Sequence, residues 1–320
     1  MKILVTGSSG HLGEALMRTL KASNVDVFGI DLLPSVYTSR VGSIVDREFV
    51  KRSLIGIDAV LHTATLHKPH VISHSNQDFI DTNITGTLNL LEEALLAGVR
   101  SFIFTSTTSS FGDALTPAAG FPAAWITEDV QPKPKNIYGV TKTTAEDICQ
   151  LFHRNHGLAC LILKTSRFFP EEDDQKNIRD TYCDGNVKAN EFLYRRVELE
   201  DVVSAHLLAL EKAPSIGFNR YIISATSPFT SDNLLDLRLD AAGVVKHLFP
   251  DFEQVYARHE WKMFPSIERV YVNEKARMEL GWKPKYDFRL VLSRLKEGID
   301  PRSDLSKIIG SKGYHPQQFQ

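Results

Sequence analysis

The chain is poor in cysteine, has no excess of charge of either sign and contains no long hydrophobic run. Among its 320 residues only Cys149, Cys160 and Cys183 are cysteines, an odd number without CxxC spacing. A disulfide framework is therefore excluded, and a reducing compartment is favoured. The 37 lysines and arginines nearly balance the 39 aspartates and glutamates, so the net charge is only −2. This balance provides no overall attraction to nucleic acid or to an anionic membrane.

The most hydrophobic stretch, residues 88–99, contains Glu92 and Glu93 and is shorter than the ~20 apolar residues that span a bilayer. The first residues, MKILVTGSSG, lead directly into a strand and a turn, so we expect no targeting segment. Hydrophobic residues make up 42% of the chain and charged residues 24%, which excludes disordered, collagen-like and coiled-coil classes. We expect a soluble cytoplasmic protein with one large or two modest domains.

Short apolar runs alternate with longer amphipathic stretches through the first half of the chain. The runs that are typical of strands buried on both faces are 2–5, 25–30, 59–62, 101–105 and 158–164. The stretches that are typical of helices are 11–21, 46–53, 81–97 and 145–155. This alternation predicts an α/β fold with a doubly wound, Rossmann-like parallel sheet.

The alternation ends after Pro170. The acidic and polar segment 171–186 predicts a loop, and a helix at 199–212 and a strand at 219–224 follow it. Helical stretches near 232–243 and 273–280 are separated by prolines and predict a smaller, mostly helical lobe.

These patterns predict two parts in the chain. Residues 1–170, completed by 198–225, are expected to form the sheet domain, and residues 171–197 and 226–320 the lobe. The polar tail at 301–320 is expected to be ordered only in part.

A glycine-rich turn, TGSSGHLG at 6–13, joins the first predicted strand to the first helix. Gly7 permits the tight turn, Gly10 lets the backbone approach a pyrophosphate, and Gly13 lets the helix pack on the strand. The N–H groups at the positive end of that helix would hold the phosphates. Because strand, turn and helix occur in this order, we predict a dinucleotide site rather than an unliganded turn.

Asp31 ends the second predicted strand, 24 residues after Gly7. A carboxylate there accepts hydrogen bonds from the adenosine ribose and repels a 2′-phosphate, which predicts NAD rather than NADP. Two alternatives stay open: Arg40 could approach from a loop and favour NADP, and Asp31 could be a solvated loop acid.

Tyr138 and Lys142 are four residues apart, which places a phenol and an ammonium on one face of a helix. A nearby cation lowers the pKa of a tyrosine from about 10, so that it can serve as a base near neutral pH. Tyr271 and Lys275 have the same spacing. We choose Tyr138 because it follows strand 101–105 and should reach the carboxyl edge of the sheet, where a nicotinamide would lie.

The strand at 101–105 runs into six consecutive hydroxyl residues, 105–110. One of these hydroxyls would hold the oxygen of a reacting substrate beside Tyr138. The alternative is that they only cap local backbone.

Together these motifs resemble the extended short-chain dehydrogenase/reductases, also called the NAD-dependent epimerase/dehydratase family. The resemblance covers nearly the whole chain, in the order TGSSGHLG, Asp31, HTAT at 62–65, NITGTLNLLEEA from Asn83, FTSTTSSFG, YGVTK and the late KARMELGWKP.

The resemblance implies Tyr138 as the acid/base, Lys142 as its partner and nicotinamide-ribose ligand, and Thr107 as the hydroxyl that orients the substrate. It implies NAD as the cofactor and a homodimer formed through the helices at 81–97 and 145–155. The cofactor-binding residues that it implies are Gly7, Gly10, His11, Leu12, Gly13, Asp31, Ser43, Ile44, Ala64, Thr65, Asn83, Thr105, Tyr138, Lys142 and Phe168.

Departures from the family pattern concern the substrate. Thr108 and Ser109 stand where similar dehydratases have Asp-Glu, so elimination of water is not expected. The stretch between Arg167 and Asp201 is shorter than the family's usual nucleotide-gripping segment, which favours a substrate smaller than a nucleotide sugar. The substrate-binding residues that we predict are Thr108, Ser109, Phe169, Arg195 and Arg196.

Two charged groups leave alternatives. Arg195 and Arg196 would clamp a substrate carboxylate or phosphate, or else pair with Glu198 or Glu200. His62, His67, His70 and His74 lie close together in sequence but lack a carboxylate or thiol to complete a metal site, so no metal is predicted.

The sequence therefore predicts hydride transfer between NAD and a secondary alcohol or ketone carbon of a carbohydrate or small polyol-like substrate. If the oxidised substrate stays bound and presents its other face, the net result is epimerisation. A third alternative is a regulatory protein that binds NAD without turnover. Neither a nucleic acid nor a membrane is expected as a partner.

Overall fold

Nine strands occur in the computed structural model, which describes residues 1–313. They are β1 (Lys2–Thr6), β2 (Asp26–Asp31), β3 (Arg40–Val41), β4 (Ala59–His62), β5 (Ser101–Thr107), β6 (Ala124–Ile126), β7 (Ala159–Thr165), β8 (Phe218–Ile223) and β9 (Arg269–Tyr271). Seven form one sheet in the order β3-β2-β1-β4-β5-β7-β8, and β6 pairs with β9. The remaining part of the predicted tail, 314–320, lies outside the described residues.

All pairings in the large sheet are parallel. Strands β4, β5 and β7 are almost wholly buried, as expected when helices cover both faces of a parallel sheet. The strand order reverses at β1, between β2 on one side and β4 on the other. Ligands of doubly wound sheets bind in the crevice at the carboxyl ends of the strands at such a point. The prediction of a doubly wound α/β fold is confirmed.

Helices α1 to α7 are His11–Ala22, Arg47–Ser53, Asn76–Phe79, Gly86–Leu96, Ile137–His156, Lys176–Thr181 and Asp184–Glu191. Helices α8 to α14 are Leu199–Ile216, Leu234–Leu239, Ala241–Leu248, Phe252–Arg258, Glu274–Glu279, Phe288–Lys296 and Asp304–Ile309. Short 3₁₀ segments occupy Lys68–Ile72, Thr108–Phe111, Asp113–Leu115 and Ser231–Asn233, and a π-helical turn at Ile80–Thr85 precedes α4. Within residues 1–313 no helix has the length and apolar character that crossing a bilayer demands.

Two hydrophobic cores sandwich the large sheet. Leu16 of α1 and Val202 of α8 pack on the face that carries Ile103. Leu90 of α4 and Phe152 of α5 pack on the opposite face. Alternate residues of each strand therefore point into different cores. The carboxyl ends of the parallel strands lie together along one edge of the sheet.

A separate core, around Phe192, Tyr256 and Phe288, joins residues from 123 to 295 and forms the smaller lobe. The predicted lobe differs from the structure at its end, because Trp282 and Ile309 pack against the sheet domain instead. The Trp282 indole N–H donates to the Asp201 carbonyl at 3.1 Å. This contact joins residues that are far apart in the chain.

The prediction of a loop at 171–186 is wrong, because this segment contains α6 and the first three residues of α7. Val187 and Ala189 enter the core of the lobe, while the Asn186 and Asn190 amides donate to the Lys262 carbonyl at 3.0 Å each. Tertiary contacts thus form a helix where the local composition favours a loop.

Helix α5 begins at Ile137, eight residues before the predicted start. The Asn136 side chain accepts a hydrogen bond from the Gly139 N–H at 3.0 Å and caps the helix there. The earlier start brings Tyr138 and Lys142 onto the helix. Strands β3, β6 and β9 were not predicted, because they have only two or three residues each.

Candidate active site

A cavity of about 1210 Å³ lies at the carboxyl edge of the sheet. Its volume exceeds the roughly 300–1,000 Å³ of a typical small-ligand pocket and is large enough for a dinucleotide with a second molecule. The predicted site residues that line it are Gly7, Gly10, His11, Leu12, Gly13, Asp31, Ser43, Ile44, Ala64, Thr65, Thr105, Thr107, Thr108, Ser109, Tyr138, Phe168, Phe169 and Arg195. The predicted residues Asn83, Lys142 and Arg196 are buried beside the cavity without lining it.

The glycine-rich turn leaves no room for side chains. Gly7 has φ +71°, and a Cβ there would lie 2.9 Å from the Ala64 nitrogen. A Cβ on Gly13 would lie 1.8 Å from the Gly7 carbonyl oxygen. The close approach leaves the start of α1 open to the cavity, so its N–H groups fit the diphosphate of a dinucleotide.

Asp31 is held at the end of β2 by backbone N–H groups. One carboxylate oxygen accepts from the Ser9 N–H and the other from the Leu33 N–H, both at 2.9 Å. Arg40 lies over the Phe28 ring, 5.5 Å from its centroid, and does not line the cavity. The geometry thus supports the sequence-based preference for NAD over NADP.

Asn83 positions the loop after β4 instead of facing the cavity. Its side-chain oxygen accepts from the Thr65 hydroxyl at 2.9 Å and the Leu66 N–H at 2.8 Å. Its amide donates to the Leu66 carbonyl at 2.9 Å and the Thr141 hydroxyl at 3.0 Å. Asn83 therefore connects the cofactor side of the cavity to α5.

Tyr138 and Thr107 meet at the wall of the cavity. Thr107 ends β5, Tyr138 lies in the first turn of α5, and both line the cavity. Burial raises the pKa of Tyr138 to about 12, and the nearby Thr107 hydroxyl acts in the opposite direction. The phenol is therefore protonated at neutral pH in this state.

The contacts of the Lys142 ammonium are with groups other than the Tyr138 phenol. Its ammonium donates to the Thr105 carbonyl at 2.7 Å and lies 3.9 Å from the centroid of the Phe104 ring. Burial lowers the pKa of Lys142 to about 7. The Thr105 hydroxyl is engaged elsewhere, 2.8 Å from His206 Nε2, so the carbonyl and not the side chain of Thr105 meets the lysine.

The alternative tyrosine–lysine pair is divided between two elements. Tyr271 ends β9, whereas Lys275 lies in α12 and donates to the Asn219 side-chain oxygen at 2.6 Å. Tyr271 lines the cavity, but its lysine does not. Equal spacing in the sequence therefore does not produce an equal arrangement.

Sequence reasoning missed a buried charge network behind the site. Glu146, one turn beyond Lys142, accepts from Lys164 at 2.7 Å and from Ser106 at 2.5 Å. Lys164 also donates to the Ser110 hydroxyl at 2.9 Å. A lysine within the otherwise apolar strand ACLILKT was a signal that could have revealed it.

Of the two alternatives for Arg195 and Arg196, the pairing with Glu198 or Glu200 is wrong. Glu191, not Glu198 or Glu200, pairs with Arg195 at 2.7 Å and with Arg196 at 2.9 Å. Arg196 also donates to the Phe169 carbonyl at 2.6 Å, which turns it away from the cavity. Burial would raise the pKa of Glu191, but the surrounding arginines outweigh it and lower the pKa to about 2.

His67, His70 and His74 form a row after β4, with successive ring centroids 4.5 and 5.1 Å apart. His62 is a core residue of β4, with Nδ1 2.7 Å from the Thr6 hydroxyl and Nε2 3.0 Å from that of Thr87. The His67 ring stacks on Phe169 with centroids 5.2 Å apart. No group of three or more potential ligands in residues 1–313 is placed to hold a metal ion.

A sequence model of the NAD-dependent epimerase/dehydratase family matches residues 3–223. A putative UDP-glucose 4-epimerase of Methanocaldococcus jannaschii is 26% identical over 93% of this chain and 95% of its own length. A 3β-hydroxysteroid dehydrogenase/Δ5→4-isomerase of Mycobacterium tuberculosis is 23% identical over 91% of this chain and 88% of its own length.

Two solved structures have the same fold. A short-chain dehydrogenase/reductase superfamily protein of Agrobacterium tumefaciens with bound NAD has a TM-score of 0.66 and 22% identity, covering 96% of this chain and 99% of that one. UDP-glucose 4-epimerase of Thermotoga maritima with UDP-glucose has a TM-score of 0.64 and 25% identity, covering 94% and 100%. The chain thus belongs to the NAD-dependent epimerase/dehydratase family of extended short-chain dehydrogenase/reductase enzymes, and its cofactor is NAD.

Proposed function

We propose that the protein interconverts a secondary alcohol and a ketone on a carbohydrate or a small polyol-like substrate. The observation that carries this proposal is that Thr107 and Tyr138 both line the wall of the cavity, close enough for Thr107 to lower the pKa of Tyr138. The pair lies at the carboxyl edge of the sheet, on the side of β5 and away from the glycine-rich turn. A substrate oxygen between the two hydroxyls would lie where a nicotinamide ends.

In oxidation, Tyr138 Oη takes the proton of the substrate hydroxyl while the C–H bond of the carbon that bears this hydroxyl breaks. In reduction, Tyr138 Oη returns a proton to the carbonyl oxygen. NAD supplies the acceptor or donor of the hydride. Thr107 would hold the substrate oxygen beside the phenol. Charge balances because one proton and one hydride leave the alcohol together.

The base form of Tyr138 needs positive charge nearby, since burial raises its pKa to about 12. Lys142 lies one helical turn along α5, and its pKa of about 7 makes it partly protonated near neutral pH. The protonated ammonium would favour the phenolate. The Thr105 carbonyl fixes that ammonium at the base of the site.

A small substrate is favoured by the wall that α6 builds. Ile178 and Tyr182 line the cavity together with Phe264, and the rings of Tyr182 and Phe264 meet edge to face with centroids 5.0 Å apart. Ile178 and Tyr182 belong to the segment that is shorter than the family's usual nucleotide-gripping region. They leave a polar patch on the arginine side for the reacting molecule.

Epimerisation with retained NAD is the second candidate function. The UDP-glucose 4-epimerases among the relatives favour it, and a cavity of about 1210 Å³ leaves room for a substrate to turn. Purified protein that retains NAD through gel filtration and yields an epimeric product would establish it. Net change of the reduced-nicotinamide absorbance during turnover would establish the dehydrogenase.

The test compares Tyr138→Phe with Tyr271→Phe, because both tyrosines line the cavity and belong to a tyrosine–lysine spacing. Sugars, sugar acids and nucleotide sugars are screened with NAD and NADP by absorbance and by product analysis. Tyr138→Phe should lower kcat by about 10²–10⁴-fold, since it removes the proton-transfer group. Tyr271→Phe should keep kcat within about threefold, the scale of a lost peripheral hydrogen bond.

Unchanged turnover in Tyr138→Phe would refute the assigned chemistry. Calorimetric titration should show that both variants still bind NAD, which separates lost chemistry from lost folding. The third candidate, a regulatory protein that binds NAD without turnover, requires that no member of the screen reacts while NAD binds normally.

A further inference from the structure

Two arginines from distant parts of the chain lie against one aromatic ring in the cavity. The guanidinium carbon of Arg195 is 5.5 Å from the centroid of the Tyr194 ring, and that of Arg269 is 6.0 Å from it. Arg195 follows α7, whereas Arg269 begins β9. All three residues line the cavity, so the pair forms part of its wall.

Both guanidinium groups have N–H donors without acceptors. The Nε atoms of Arg195 and Arg269 are buried and have no hydrogen-bond partner among the described residues. The Arg269 side chain forms no hydrogen bond at all within residues 1–313, and its ion pair with Glu268 is long, at 3.8 Å. Because these side chains are only 17% and 15% exposed, water reaches them poorly. The covered Nε atoms lie out of reach of a ligand, so an acceptor that enters from the cavity would meet the terminal nitrogens of the two guanidinium groups.

The local charge also favours an anion. Glu191 and Asp173 are the buried carboxylates that face Arg167, Arg195 and Arg196, so two negative charges meet three positive ones. Arg269 adds a further positive charge. Its neighbour Glu268 is 43% exposed and is shared with Arg238 at 3.5 Å, so it compensates Arg269 weakly.

The pair lies at the chemical end of the cavity. The Arg195 carbonyl accepts from the Arg167 N–H at 3.2 Å, and the Tyr194 carbonyl accepts from the Tyr271 N–H at 3.1 Å. Arg167 follows two residues after Thr165, which pairs with Thr107 in the register of β5 and β7. The arginines therefore belong to the end that holds the Thr107 and Tyr138 hydroxyls, and not to the glycine-rich turn.

We propose that Arg195 and Arg269 form an oxyanion subsite that binds a carboxylate or phosphate group carried by the reacting molecule itself. A guanidinium fork matches the paired oxygens of either group and binds it through charge-assisted hydrogen bonds. The substrate class is then a sugar acid or a sugar phosphate. This inference depends on the proposed function only for the identity of the reacting molecule, because binding of the anion needs no turnover.

The chain offers a matched control in Arg238. Arg238 and Arg269 both pair with Glu268 and are similarly buried, at 17% and 15% exposure, but Arg238 does not line the cavity. NAD-loaded wild-type protein, Arg269→Met and Arg238→Met are titrated calorimetrically with D-glucose, D-glucuronate, D-glucose 6-phosphate and UDP. Thermal melts of the three proteins establish that each variant is folded.

At least one of D-glucuronate and D-glucose 6-phosphate should bind ten times more tightly than D-glucose. Arg269→Met should weaken that binding at least tenfold and leave D-glucose unchanged, while Arg238→Met should stay within twofold of the wild type. A preference for D-glucuronate identifies the carboxylate as the ligand group, and one for D-glucose 6-phosphate identifies the phosphate.

Two results would overturn the subsite directly: no binding of either anionic sugar, or equal losses of affinity in the two arginine variants. A third is tight binding of UDP alone that is lost in Arg269→Met, which would place the anion on a nucleotide. Tyr138→Phe separates this inference from the proposed function. If Tyr138→Phe retains full turnover while Arg269→Met loses the anion, the chemistry is wrong and the subsite remains. If Tyr138→Phe loses turnover while Arg269→Met binds normally, the chemistry remains and the subsite is wrong.

Discussion

The two ends of the cavity are built in different ways. At the glycine-rich turn the backbone itself forms the wall, and a Cβ on Gly13 would lie 1.8 Å from the Gly7 carbonyl oxygen. At the other end charged side chains form the wall, with Arg195 held 2.7 Å from the buried Glu191 and Arg269 placed beside it across Tyr194. One end excludes side chains, whereas the other depends on them.

This difference explains why one end is visible in the sequence. The turn uses contacts between residues six apart, so its constraint appears as a short motif. The arginine end combines β7, the turn after α7 and β9, which meet only in the folded chain. The residues that recognise the common cofactor are thus close together in the sequence. Those that recognise a particular substrate come from distant parts of the chain.

The largest effect that would test this contrast is the loss of the Glu191 charge. Glu191→Gln should lower the free energy of unfolding by about 3–5 kcal/mol, because three guanidinium groups lose a shared buried carboxylate. Chemical denaturation measures the change. Glu253→Gln, which breaks an exposed pair with Lys246 at 2.7 Å, should cost less than about 1 kcal/mol. Similar costs in both variants would contradict the dependence on charge.

At the backbone end, Gly13→Ala should weaken NAD binding at least tenfold and lower the Tm, because its methyl group displaces the Gly7 carbonyl. Gly98→Ala is the control: its φ of +75° makes alanine cost about 1–2 kcal/mol, but its Cβ would meet no atom within 4 Å. Calorimetry should give Gly98→Ala the wild-type affinity for NAD. Normal NAD binding by Gly13→Ala would show that this end tolerates side chains.

A smaller effect is expected at Asp31, a charged side chain at the backbone end. Asp31→Asn should weaken NAD binding about tenfold and reduce the preference for NAD over NADP, since the repulsion of a 2′-phosphate disappears. Asp26→Asn, at the exposed start of the same strand, should change neither constant. An unchanged cofactor preference in Asp31→Asn would remove this residue from the cofactor site.

The smallest effect concerns Lys142, a buried cation that lies between the two ends without a carboxylate in hydrogen-bond contact. Burial lowers its pKa to about 7, against about 10.4 in the unfolded chain. The unfolded state then binds more protons between these values, so stability should rise with pH, by about 1 kcal/mol from pH 7 to pH 8. Lys142→Met should flatten this rise in urea titrations. Equal pH dependence in both proteins would mean that the lysine does not titrate there.

Much of the site could be predicted from the sequence because the residues follow strand ends. Gly7 and Asp31 were predicted from their places at the ends of predicted strands, Thr107 was implied by the family resemblance, and all three line the cavity. Arg196 was predicted there as well, but its guanidinium turns to Glu191 and to the Phe169 carbonyl. Neighbouring arginines in a turn look equivalent in the sequence, and the packing of the turn decides which one faces the cavity.

The same limit applies to the helices. Helix α7 begins in a segment of loop-like composition. It forms because Val187 and Ala189 pack in a core whose other residues extend to Leu295. Arg269 carried no signal at all in the sequence. It became a candidate only when β9 paired with β6 and brought its side chain to Tyr194.

The scarcity of cysteine, the balanced charge and the ordered motifs by themselves determined an NAD-binding α/β fold, because periodicity and turn chemistry act over a few residues. The tertiary structure decided which of two equally spaced tyrosines meets Thr107, which acid pairs with the arginines, and where guanidinium groups face the cavity. Those outcomes depend on burial and on contacts between distant elements, and only folding brings those elements together.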